Sequence, residues 1–121
     1  MTRPWDQIRD HYSKDARVAV MFELVTSIGN SRYAQGLHAW TSMYDLCVVQ
    51  TPVEHPYRGP YLRISLRPGN QLEFRYVDTP TTEKQWTRTV DGGDGFGRLE
   101  RFIEQLHWFG GDRARPLPLV I

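Results

Sequence analysis

The chain has 121 residues, 40% of them hydrophobic and 24% charged, a balance that fits one globular domain with a real core and excludes a disordered chain. The formal net charge of +1 excludes a molecule whose overall field draws in nucleic acid or an anionic membrane, leaving only a local patch for that work. No apolar run approaches the roughly 20 residues of a membrane span, and the start Met1-Thr2-Arg3-Pro4-Trp5-Asp6 carries no apolar leader stretch. The single cysteine, Cys47, excludes an internal disulfide and points to a reducing, cytoplasmic setting.

Trp5, Ile8 and Tyr12 recur at helical spacing and predict a short first helix, continuous with or separate from the next. From Asp15 to Ile28 the residues Val18, Met21, Phe22, Val25 and Ile28 predict a second helix, although Val18 to Phe22 alone also reads as a strand. Val20 and Leu24 widen its apolar arc, so this helix must be covered on more than one side. Gly29-Asn30-Ser31 stops it.

From Leu37 to Thr51 the composition turns β-like and reads as one strand, with apolar groups on both faces around Leu46 to Val49. Cys47 sits in that run as a small buried apolar residue, with no basic neighbour in the sequence to lower its pKa. A loop follows, carrying Pro52, Pro56 and Pro60. Then Leu62, Ile64 and Leu66 alternate, as do Leu72, Phe74 and Tyr76, and the register between them is readable. Only the loop Pro68-Gly69-Asn70 brings Leu66 opposite Leu72 and Ile64 opposite Phe74; other lengths put the apolar faces out of phase. A fourth strand is predicted near Gln85 to Val90. A last helix runs from Phe96 to Phe109, with Phe96, Leu99, Phe102, Ile103 and Leu106 on one stripe and Gly110-Gly111 ending it. The tail 111–121 closes on Pro116-Leu117-Pro118-Leu119-Val120-Ile121, too apolar to favour solvent, and is expected to dock in the chain or across a dimer. The predicted fold class is a two-layer α+β domain over residues 1–121, in the order α-β-β-β-β-α, with helices on one face of an antiparallel sheet.

No motif names a chemistry. Gly92-Gly93-Asp94-Gly95-Phe96-Gly97 lies where a phosphate loop would, but it fits neither G-x-G-x-x-G nor a P-loop, and Asp91 and Asp94 repel phosphate. A turn in which Asp94 caps the last helix is the simpler reading. His11, His38, His55 and His107 show no ligand spacing, and no metal or other cofactor is expected. His55 shares the proline-rich loop with Glu54 and Tyr57, the only grouping suited to acid–base catalysis, though no second element visibly converges on it.

The hairpin register has a consequence on the other face. Arg63 lands opposite Arg75, Tyr61 opposite Val77 and Arg67 opposite Gln71, and like charges in that position repel. Asp45 and Glu73 are available to screen them, or an anionic partner does so. Because it relieves that cross-strand repulsion, Arg63→Glu is expected to cost little stability, or even to add some. A tyrosine and arginine face can also stack bases, although the near-zero net charge argues against nucleic acid. At about 100° per residue Trp108 falls opposite the stripe of its helix; either another surface covers it, or the helix ends first and the ring turns inward. The resulting expectation is a non-catalytic binding or protein-interaction module, self-associating or with another protein, through Tyr61, Arg63, Arg67, Arg75 and Trp108. The alternatives are a small enzyme using His55, Glu54 and Tyr57, and an anion or nucleic-acid binder on the sheet face.

Overall fold

The structure, a computed structural model, describes residues 1–54, 57–78 and 80–109. The expected docking of the 111–121 tail and any role of His55 lie outside the described residues. Helix α1 (Trp5–Ser13) buries Ile8 and Tyr12, one turn apart on a single face. It is separate from the next helix: the Asp15 carboxylate accepts from the Arg17 N–H and starts a 3-10 turn over Ala16–Val18. Helix α2 (Ala19–Gly29) therefore begins four residues later than the periodicity suggested, since the apolar residue Val18 is spent in the turn. Met21, Leu24, Val25 and Ile28 are buried along it, as an amphipathic helix requires. Its broad apolar arc is covered by α1 and by the last helix, and its buried residues join the inner face of the sheet in one core cluster.

Five antiparallel strands follow in simple order: β1 (His38–Ser42), β2 (Asp45–Val49), β3 (Tyr61–Arg67), β4 (Gln71–Val77) and β5 (Trp86–Asp91). The stretch read as one strand from Leu37 to Thr51 is thus a hairpin, and the sheet has five strands rather than four. Its turn is Met43-Tyr44, closed by Ser42 opposite Asp45, with Met43 at a φ of 57°. A methionine at positive φ is not a turn signal, because that region favours glycine, asparagine or aspartate. Nothing in the local sequence marked the reversal. The β3–β4 hairpin has the register argued from phase, with Leu66 opposite Leu72 and Ile64 opposite Phe74. Gly69 and Asn70 take φ values of 79° and 57°, as a Pro-Gly turn followed by a left-handed asparagine demands.

Helix α3 (Gly95–Gln105) ends four residues before Phe109. The Asp94 side chain makes no cap bond; Asp91 instead caps the 3-10 turn Gly92–Asp94 that leads into α3, accepting from the Gly93 N–H at 3.2 Å. At the other end His107, at a φ of 56°, reverses the chain, its N–H donating to the Glu104 carbonyl and that of Trp108 to the Ile103 carbonyl. This is a Schellman closure, and it carries Trp108 back over Ile103 into the core, where it is 6% exposed. The inward alternative for Trp108 is the one the chain adopts. Phe109 follows it, stacked on Tyr33, and its ring fills the space where a Cβ on Gly36 would sit.

One face of the sheet, with Ala39, Leu46, Val48, Leu62, Ile64, Leu72, Phe74, Tyr76 and Val90, packs on the helices. Phe74 meets Phe102 of α3 at 5.0 Å between ring centroids. The outer face carries the alternate residues.

Candidate functional site on the outer sheet face

Phase in the hydrogen-bond ladder places the outer-face side chains. The Gly92 N–H donates to the Asn70 carbonyl at 2.9 Å, in register with Gln71 opposite Asp91. In an antiparallel ladder bonded and non-bonded pairs alternate, so Arg63 and Arg75 form a bonded, wider pair with Cα atoms about 5.5 Å apart. Cys47 and Arg63 form a closer, non-bonded pair of about 4.5 Å.

Both carboxylates named from sequence are in place. Arg63 Nε donates to Asp45 Oδ2 at 2.7 Å, and Arg67 Nη2 donates to Glu73 Oε1 at 2.7 Å. Arg75 is exposed and has no ion-pair partner among the described residues. Arg63 therefore does not await a ligand, and the expectation that Arg63→Glu costs little is reversed, because a glutamate there would face Asp45.

Beside the arginines lies a group of rings that the sequence did not bring together. Trp40 and Tyr61 have centroids 5.4 Å apart, and Tyr57 lies 6.2 Å from Trp40 and 6.5 Å from Tyr61. Cys47 and Val49 share this face and are fully buried, outside the main core cluster. The rings thus belong to a small second apolar cluster on the side away from the helices. It was hidden because the missed turn at Met43-Tyr44 concealed that Trp40 pairs with Cys47.

Cys47 does have a basic neighbour, contrary to the sequence reading: Arg63 Nη1 lies 4.0 Å from its Sγ. Burial nevertheless dominates and pushes the thiol up to about 11, against the opposing pull of Arg63 and Arg75. Tyr57 is held above its ordinary value by burial and by Asp78, and its hydroxyl donates to the Pro60 carbonyl at 3.2 Å. Glu54 is exposed, and no hydrogen bond among the described residues joins it to Tyr57.

A second feature missed by the sequence is the β1–β2 tip. Met43 is 88% and Tyr44 52% exposed. The tip is anchored to α1: His11 Nε2 donates to the Met43 carbonyl at 3.1 Å, its ring stacks on Tyr44 at 5.5 Å, and the Tyr12 hydroxyl donates to the Tyr44 carbonyl at 3.0 Å. A cleft of about 260 Å³ nearby is lined by Arg3, Gln7, Ile8, His11 and Thr41.

Among the described residues no cluster of histidine, cysteine or carboxylate side chains is placed to hold a metal ion, and no helix is long and apolar enough to cross a membrane. No family model, curated protein or solved structure matches the chain.

Proposed function

We propose that the chain is a small, non-catalytic protein-interaction module of the reducing cytoplasm, and that its docking face is the outer sheet face around Trp40, Tyr61, Arg63 and Arg75. The observation that carries the reading is the exposed Arg75, opposite an arginine already paired with Asp45 and on the same face as the ring cluster. A partner offering a carboxylate to Arg75 and an apolar group to the half-buried rings would complete both. Tyrosine, tryptophan and arginine are the residues that most often anchor such interfaces. The groups that chemistry would call on are otherwise engaged: the Tyr57 hydroxyl is bonded to Pro60 and the Cys47 thiol is buried and neutral.

The test is paired capture from native lysate with the parent protein, Arg75→Glu, and Arg101→Glu on the exposed side of α3, followed by mass spectrometry. A true partner is recovered by the parent and by Arg101→Glu and lost with Arg75→Glu. Identical recoveries with the parent and both variants would sink the reading. The same Tyr61 and Arg75 pairing favours an anion or nucleic-acid reading second, since rings stack bases and guanidinium groups hold phosphate. Steeply salt-dependent binding of single-stranded oligonucleotides, lost in Arg75→Glu, would put that reading first.

A further inference from the structure

The ladder phase that places Arg63 and Arg75 also says what the two edges of the sheet present. Trp86, Arg88 and Val90 turn their N–H and C=O groups toward β4, so Thr87, Thr89 and Asp91 turn theirs away from it. The opposite edge obeys the same phase. There the Ala39 carbonyl points off β1 and accepts from the Arg3 N–H at 2.9 Å, and Thr2 is bonded to Val53. The β1 edge is therefore partly closed by the chain's own N-terminal residues.

Among the described residues nothing closes the β5 edge in this way. Among the described residues no backbone group pairs with its outer side, and the one bond received there is from exposed Arg88 Nη1 to the Thr87 carbonyl at 3.0 Å. Proteins usually blunt an edge with proline, a bulge, lysine or a covering element. Here Trp86-Thr87-Arg88-Thr89-Val90-Asp91 has no proline, lysine or bulge and runs in unbroken register with β4; its charges are Asp91 and Arg88, whose guanidinium lies over the Trp86 ring, 5.4 Å from its centroid. Thr87, Arg88 and Thr89 are exposed.

We infer that β5 is a self-pairing edge, through which two copies of the chain join antiparallel into one continuous sheet with five strands from each. A two-fold axis normal to the sheet at any residue from Trp86 to Asp91 pairs outward-bonding residues with one another. An axis at Trp86 or Thr87 needs Gln85, whose N–H is spent on the Thr82 carbonyl at 3.1 Å, and one at Val90 or Asp91 needs Gly93, whose N–H is spent on the Asp91 carboxylate at 3.2 Å. An axis at Arg88 sets two guanidinium groups directly opposite each other, a destabilising pair. The axis at Thr89 is free of both faults. It sets Thr89 against Thr89, the Thr87 hydroxyl against the Asp91 carboxylate and Arg88 against Val90, and it uses every outward amide of the strand. One register of the strand is thus complementary to itself, and the occupant of the edge is a second copy.

The experiment combines sedimentation with crosslinking of the full chain. The parent is expected to dimerise as its concentration rises, with the amides of Thr87, Thr89 and Asp91 gaining exchange protection while those of Trp86, Arg88 and Val90 stay unchanged. Thr89→Pro removes an N–H that β4 does not use, and the dimer should weaken by roughly tenfold or more. Across the axis the Thr89 Cα atoms stand about 5.5 Å apart, within disulfide reach, so Thr89→Cys should form a crosslinked dimer under mild oxidation and Thr87→Cys should not. Cys47 is fully buried and does not compete. A parent that stays monomeric throughout, a Thr89→Pro dimer as tight as the parent's, or crosslinking by Thr87→Cys in place of Thr89→Cys would each overturn the inference. If Thr89→Pro fails to fold, the two cysteine variants still decide it.

Discussion

Arg63 and Arg75 are the same residue type at paired positions, yet their surroundings make them opposites. Arg63 is half-buried, bonded to Asp45 at 2.7 Å and laid against Cys47; Arg75 is exposed and faces the partnered guanidinium. Arg63→Glu therefore sets two carboxylates together and is expected to cost about 1 kcal/mol, whereas Arg75→Glu removes a cross-strand repulsion and should leave stability unchanged or slightly higher. Urea unfolding of the two variants checks the contrast, and equal losses would mean that the pairing with Asp45 contributes nothing. The register that opposed them was legible in sequence, because only one loop length kept Leu66 and Leu72 in phase. Which arginine would hold the carboxylate was not, since Asp45 is brought beside Arg63 by β2, which periodicity alone merges with β1 into a single run. Cys47 follows the same logic of place over type. With its thiol raised to about 11 by burial, it is neutral near pH 8 and is expected to resist alkylation in the native protein and to react at once in urea. The sign extends to pH: the contribution of the neutral buried thiol is full below its ordinary value of 9.0 and is lost as pH rises toward 11. Rapid native alkylation near pH 8 would show that the ring cluster does not seal this face.

At the scale of elements, the misjudged boundaries share a cause. Periodicity reports which residues face the core, but a chain reversal is set by backbone conformation, and two reversals here are built on residues that do not advertise one. Met43 turns β1 into β2 at a φ of 57°, and His107 ends α3 at a φ of 56°. Gly110-Gly111 was the visible stop signal, and the helix ends before reaching it. By contrast Pro68-Gly69-Asn70 advertised its turn, and the hairpin around it was placed correctly. The non-glycine closure of α3 makes a clear prediction. His107 is exposed and in a conformation that costs an L-residue about 1 kcal/mol, so His107→Gly should raise the unfolding free energy by about that amount, read as a higher urea midpoint at unchanged slope. A lower midpoint would show that the His107 side chain contributes an interaction that outweighs the strain.

For the whole molecule, the two-layer α+β class and the helical face of the sheet were legible because they rest on long alternating and helical stripes. Phe74 stands where the layers meet, fully buried between the sheet and Phe102. Phe74→Ala is expected to cost about 3–5 kcal/mol, measured by thermal and chemical unfolding, and a loss under about 1 kcal/mol would mean that the layers do not depend on this contact. The outer face was less legible. Its small cluster draws Trp40, Tyr57 and Tyr61 from two strands and a loop, and no periodicity within one segment reveals such a convergence.

The strap formed by Thr2 and Arg3 has a bearing on how far association can go. If copies join through β5, the sheet stops growing once two have met, because the β1 border is partly covered by the chain's own Arg3. Detaching residues 1–3, by cleavage or by a bulky fusion that pulls them off β1, would free the Ala39 carbonyl and give each molecule two templates. Head-to-head pairing at one border and tail-to-tail pairing at the other then has no endpoint, and the product is a growing filament. Light scattering of a variant lacking residues 1–3 should climb steadily with time at concentrations where the parent stays clear, and β5 carrying Thr89→Pro in the same variant should arrest that growth.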